Sequence, residues 1–165
     1  MTDPVTGAAQ EGQPQFSIQK LYLKDVSFET KNTPEVFTNQ WNPDIEMQLG
    51  TGARPINKEN HLYEIVLNIT VTAKQGDATA FLVEIQQAGI FALAGFSDGQ
   101  LGGMLGSFCP NVLFPFAREA VADLIGRGGF PPVYLAPINF DALYAQQLEK
   151  MKEEQGQKGA AEVTH

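Results

Sequence analysis

The chain of 165 residues is short of the side chains that carry most catalytic and metal chemistry. It holds one cysteine, Cys109, so no internal disulfide can form and no cysteine cluster is available for zinc. A single thiol fits a reducing compartment. There are two histidines, His61 and the terminal His165. A Ser-His-Asp or Cys-His site would have to use His61, and no G-x-S-x-G motif accompanies it. Neither a G-x-x-x-x-G-K-[ST] loop nor a G-x-G-x-x-G turn is present, so nucleotide binding has no support. Cations are scarce as well. Eleven Lys and Arg against 19 Asp and Glu leave a net charge of −8. The clustered positive charge that phosphate backbones require is missing, which argues against nucleic acid as a partner. The dense apolar stretches, 88–96 and 112–122, are interrupted by Gly or charge and are too short to span a bilayer. The first fifteen residues show no basic segment leading into an apolar run, so a secretory leader is not expected. These absences predict a cytoplasmic non-enzyme with no cofactor, no metal and no direct membrane insertion.

What the chain does have is alternation. In 62–95, Tyr63, Ile65, Leu67, Ile69 and Val71 point one way, and Glu64, Asn68, Thr70 and Thr72 the other. After Gln75-Gly76-Asp77, Phe81, Val83 and Ile85 oppose Leu82, Glu84 and Gln86. Two such arms around a Gly-centred turn predict a hairpin. Residues 16–29 alternate too and predict a first strand. Phe16, Ile18, Tyr22, Val26 and Phe28 would share one face, and Leu21, Leu23, Asp25, Ser27 and Glu29 the other. Residues 44–49 alternate Ile45, Met47 and Leu49 against Asp44, Glu46 and Gln48 and make a short second strand. Residues 31–43, with Phe37 and Trp41, and 50–60 read as loops.

The helical signal comes later. Residues 97–107 are punctuated by Gly99, Gly102, Gly103 and Gly106 and read as turns. In 111–127, Leu113, Phe116, Ala117, Ala120, Val121, Leu124 and Ile125 recur at helical spacing, with Val112 and Phe114 off the stripe. A helix this apolar is buried on more than one side, and the extra side points to a second subunit. Pro115 would kink or restart it, and Gly128-Gly129 would stop it. A Pro-rich connection leads to Asn139, a good N-cap, and to a helix carrying Phe140, Leu143, Tyr144, Leu148 and Met151. The expected fold class is α+β, a four-stranded antiparallel sheet followed by two helices packed on one side. Residues 16–153 form the single domain, flanked by a disordered tail, 1–15, and a flexible one, 154–165. Phe37, Trp41, Ile45, Met47 and the last helical stripe remain as apolar surface bounded by loops. Such patches mark protein-binding sites. The residues therefore describe an acidic, oligomeric protein that binds other proteins or extended peptides.

Four segments, LKDVSFE, TAFLVEIQQAGIFALAG, CPNVLFPFAREAV and GRGGFPPVYLAPINFDALY, closely resemble the SecB family of bacterial protein-export chaperones, over about 16–147. The resemblance implies homotetramers, dimers of dimers, that hold unfolded precursor proteins in the cytoplasm without ATP and deliver them to the SecA translocation motor. It implies a SecA-binding surface at Asp25, Glu29, Leu82 and Glu84. It implies a precursor groove at Trp41, Ile45, Met47, Leu49, Leu143, Tyr144 and Leu148. The oligomer interface would include Val83, Ile85, Phe116, Ala120 and Leu124. A SecB-like holdase dedicated to a toxin–antitoxin pair is the alternative. Retention of the acidic Asp25, Glu29 and Glu84 favours export.

Overall fold

In the computed structural model, residues 12–162 are described. Of the expected tail, 1–15, residues 1–11 lie outside the described residues, as does His165, and Gln15 already belongs to a strand. The hairpin forms as its pattern requires: β3 (Leu62–Gln75) and β4 (Ala78–Ala94) pair antiparallel down to Gln75 opposite Ala78. Gly76, at φ 63, supplies the left-handed backbone that the two-residue loop needs. Ile65, Leu67, Ile69, Val71, Phe81, Val83 and Ile85 are all buried. Each such side chain contributes roughly 1.5–3 kcal/mol on leaving water.

β1 (Gln15–Thr30) pairs with β4, and β2 (Asp44–Asn57) pairs with β3, giving one antiparallel sheet in the order β1-β4-β3-β2. Two expectations are corrected here. First, β1 does not alternate evenly. Register shifts at Ile18/Lys20 and Leu23/Asp25 break the period twice. Directly paired residues share a face. Phe16, Ile18, Leu21, Leu23, Val26 and Phe28 sit opposite Leu93, Phe91, Gly89, Gln87, Ile85 and Val83, on the inner face. Tyr22 moves to the outer face, beside Asp25, Ser27 and Glu29. An extra residue at a β-bulge inverts the phase of everything beyond it, and a fixed period of two cannot register that. Second, 50–57 is not a loop but the continuation of β2, with Arg54 opposite Glu64 and Pro55 opposite Tyr63. β2 is an edge strand, where a proline costs no ladder bond on its solvent side.

The segment 97–107 is also corrected, from turns to helix. Ser97 caps α1 (Asp98–Gly103): its Oγ accepts from the Gln100 N–H, and the Gln100 side chain accepts from the Ser97 N–H. A π turn, Met104–Phe108, links α1 to α2 (Cys109–Arg127). The Cys109 N–H reaches back to the Met104 carbonyl, and Pro110, which follows, has no N–H to continue a tighter ladder. Pro115 is exposed and α2 runs through it. Gly129, at φ 89, ends α2: its N–H bonds the Gly126 carbonyl at 3.0 Å, and the Phe130 N–H bonds that of Ile125 at 3.2 Å. α2 packs on β3 and β4 and buries Leu113, Ala117, Val121 and Ile125 against the sheet.

Asn139 caps α3 (Phe140–Glu162), its Oδ1 accepting from the Ala142 N–H at 3.0 Å. The helix passes 154 without a break, so the expected flexible tail is helical backbone as far as Glu162. α3 packs on the π turn rather than on the sheet. Gly102 and Gly106 make this possible, because a Cβ on either would lie 2.6 or 2.4 Å from the Tyr144 side chain.

Candidate functional site

Two surfaces collect the residues that the sequence singles out. The first is the outer face of the sheet. Glu29 lies directly opposite Leu82, Ser27 opposite Glu84, and Asp25 opposite Gln86. Leu82 continues across to Thr72 and then to Glu46. All four expected SecA-contact positions thus share one face of two adjacent strands, with half-buried Leu82 between exposed carboxylates. Asp25, Glu29 and Glu84 make no ion pair among the described residues, while Glu46 pairs with Lys74 at 3.5 Å. A basic partner would meet uncompensated negative charge around an apolar contact. Glu46 was not among the expected contacts. Its place on the polar side of β2 is legible, but its alignment with Leu82 depends on strand order.

Further along the same face sits a cluster that no motif announces. Glu64 is buried at 5% exposure. Lys24 Nζ and Arg54 Nε each approach its Oε1 at 2.9 Å, and the Tyr22 hydroxyl donates to its Oε2. The Lys24 hydrogen bond above all, then that of Tyr22, holds the Glu64 carboxyl down to about 2. Burial, then the carboxylate itself, pushes the Tyr22 phenol up to about 12. Glu64 is therefore ionised across the physiological range.

The second surface is a groove between β2 and α3 on the inner side. Leu49, Gly50 and Thr51 face Phe140, Leu143, Tyr144 and Gln147 over Gly106, enclosing about 350 Å³. A further 270 Å³ extends past Ala53, Leu105, Leu148 and Met151. Leu143, Leu148 and Met151 remain exposed. Leu49, Leu143, Tyr144 and Leu148 are thus brought together. Ile45 and Met47 lie on the same face of β2, beyond the groove lining and exposed. Trp41 does not line the groove. It stacks on Phe81 at 6.3 Å and packs tilted against Phe130 at 5.1 Å, tucked onto the core, where Phe130 also meets Phe37. The glycines of the floor were missed as groove residues. Their four-residue spacing, Gly102 to Gly106, is the signal, once that segment is helical.

The expected oligomer residues separate. Val83 and Ile85 are enclosed within the chain under α2, at 0% and 2% exposure, so they have no surface left for a second subunit. This corrects that expectation: α2 alone covers the centre of the sheet. Phe116 is exposed, and Ala120 and Leu124 are half-buried. Ile18, Leu23 and Val26 stay 40–48% exposed on the inner side of β1.

The remaining reactive groups are inert in place. Cys109 is fully buried, and burial pushes its thiol up to about 12, so no thiolate forms at neutral pH. His61 is an exposed turn residue at φ 54 whose carbonyl accepts from the Leu93 N–H. Among the described residues, no group of three or more His, Cys, Asp or Glu could hold a metal ion. Nor is any helix long and apolar enough to cross a membrane.

Comparison with known proteins gives one consistent result. A family model described as "Preprotein translocase subunit SecB" matches residues 9–151. The Protein-export protein SecB of Nitrosococcus oceani is 56% identical over 158 residues, covering 94% of this chain and 93% of its own. That of Methylococcus capsulatus is 55% identical over 148 residues, covering 90% and 94%. That of Marinobacter nauticus is 47% identical over 159 residues, covering 96% and 95%. Among solved structures, a SecB-like chaperone of Mycobacterium tuberculosis, in complex with a ChAD peptide from the HigA1 antitoxin, has a similar fold. Its TM-score is 0.62 at 15% identity, over 74% of this chain and 90% of its own.

Proposed function

The chain belongs to the SecB family, and from that premise we propose that its two bare surfaces divide the work of a protein-export chaperone. The β2–α3 groove takes extended apolar segments of an unfolded precursor. The acidic outer strip presents the loaded chaperone to SecA. The observation that carries this reading is identity of 47–56% to protein-export SecB proteins along nearly the whole chain. That identity also favours export over service to a toxin–antitoxin pair, because the likeness to the antitoxin-bound chaperone is one of fold at 15% identity.

The physics of the groove fits a holdase. Covering apolar segments yields about 25 cal/mol per Å², and several weak grooves on one assembly act on one long chain at high effective concentration. Each site stays loose enough to let its segment go, and no step consumes ATP. The protein works in the cytoplasm as a homotetramer, a dimer of dimers. Support for self-association comes from the apolar side chains left bare in one chain, Ile18, Leu23 and Val26 on β1 and Phe116 on α2. Sedimentation is expected at about four times the 18.0 kDa protomer mass.

The deciding experiment is a binding measurement between purified SecA and the full-length protein, run beside suppression of aggregation of a denatured precursor without nucleotide. Both activities are expected. Suppression without SecA binding, together with capture of one dedicated small partner, would favour the toxin–antitoxin reading.

A further inference from the structure

We propose that Lys24, through its bond to Glu64, is the positioning residue that aims Asp25 and Glu29 outward, so that the acidic docking strip exists only while this pin holds the β1 bulge. The proposal rests on the reading of that strip as the SecA-binding surface.

Tyr22 lies on the outer face, opposite Ala88. Even alternation from Tyr22 would put Val26 and Phe28 outside and Asp25 and Glu29 inside. The register shift between Leu23 and Asp25 reverses this: Lys24 and Asp25 follow one another on the outer side, and Val26 returns to the inside opposite Ile85. The strip depends on that single extra residue. A bulge leaves backbone groups unpaired and must be anchored.

Four contacts anchor this one. Lys24, the extra residue, reaches across β4 to Glu64 on β3 at 2.9 Å. The crossing passes over Ala88, which is small and fully buried. Two residues before Lys24, Tyr22 donates its hydroxyl to the same carboxylate. From the inner side, buried Gln87 donates its side-chain N–H to the Tyr22 carbonyl at 3.2 Å. Arg54, from the far edge strand, holds Glu64 from the other direction at 2.9 Å. The bulge is clamped on both faces of the sheet, and the outer clamp is ionic and buried at its acidic centre, where a charge pair is strong.

Charge gives the test its sign. Lys24 is a cation next to the acidic strip. If it acted only through its field, removing it would tighten a basic partner. If it pins the bulge, removing it weakens that partner, because Asp25 and Glu29 lose their common face. The experiment measures SecA affinity and precursor holding for the full chain with Lys24→Met, Lys24→Arg, Asp25→Asn/Glu29→Gln, and Lys24→Met added to that double variant. Lys24→Met is expected to weaken SecA on the order of tenfold and leave precursor holding within error, with a single cooperative melting transition at a lowered temperature, because buried Glu64 loses one of its partners. Lys24→Arg restores the parental affinity. The combined variant loses no more than Asp25→Asn/Glu29→Gln.

If Lys24→Met binds SecA as well as the parent or better, the pin is overturned. If it loses SecA binding and precursor holding together, Lys24 is only structural and the pin is again overturned. If the parent itself does not bind SecA, or binds and is indifferent to Asp25→Asn/Glu29→Gln, the acidic-strip reading falls instead.

Discussion

The groove between β2 and α3 is lined by Leu49, Leu143 and Leu148 over a glycine floor. The strip on the other face of the same sheet sets Asp25, Glu29 and Glu84 around Leu82. The groove contains few groups that could demand a complementary partner. Its shape comes from small residues, Gly106 and Gly50, and its walls from side chains that stay exposed. Such a site accepts many sequences, because apolar contact is non-directional. The strip is the reverse: its meaning lies in which residues face outward, so it depends on register. On the proposed division of work, breadth of clients would tolerate a loose wall, whereas recognition of one motor would require a fixed pattern of charge.

Gly106→Ala tests whether the groove works apart from the strip. The new Cβ would lie 2.4 Å from the Tyr144 ring, so α3 must shift. Overpacking of this kind costs about 1–3 kcal/mol. The expected result is weaker suppression of precursor aggregation with SecA affinity unchanged, read by light scattering and by a binding titration. Equal loss of both would show that the two surfaces are not separate. The strip is tested with Leu82→Arg or Glu84→Lys, which put a cation among the carboxylates. About a tenfold loss of SecA affinity, near 1.4 kcal/mol, is expected with aggregation suppression retained.

Acid titration of the fold tests what holds the strip. The Glu64 carboxyl, ordinarily at 4.5, is held at about 2 in the folded chain. Its pairing therefore stabilises the fold fully above pH 4.5, and that contribution disappears as the pH falls toward 2. In urea unfolding, Glu64→Gln should be less stable than the parent at neutral pH by about 1–3 kcal/mol. The gap should close through the acid range. A gap independent of pH would remove the ionic cluster from the account. The slightest response is expected at Cys109, whose buried thiol should resist alkylating reagents at neutral pH until the chain is unfolded.

Much of the sheet is legible in the residues. β3, β4 and their turn follow from alternation and from Gly76, and the stops of α2 and the cap of α3 follow from Gly128-Gly129 and Asn139. Four features are not. The two bulges of β1 leave no local mark, because Tyr22 and Leu23 suit either face of a strand. Gly50, Gly52 and Pro55 look like loop residues, and only their place on an edge strand lets them continue β2. Gly99, Gly102, Gly103 and Gly106 look like turn residues, and only the Tyr144 ring packed on two of them explains a helix there. Glu64 reads as one more polar residue on a solvent face until Tyr22, Lys24 and Arg54 arrive from two other strands.

Which side chains avoid water, where the strong turn and caps lie, and which family the chain resembles all follow from the order of the residues. These depend on neighbours a few residues apart, where propensity and periodicity act. The tertiary structure alone decided that Asp25 and Glu29 share a face with Leu82 and Glu84 by way of a bulge. It also decided that Val83 and Ile85 are sealed under α2, and that Leu49 meets Leu143 across a groove. Each of these is a pairing between distant segments, set by strand register and by close approach at glycine, and no local pattern encodes which distant partner a residue will meet.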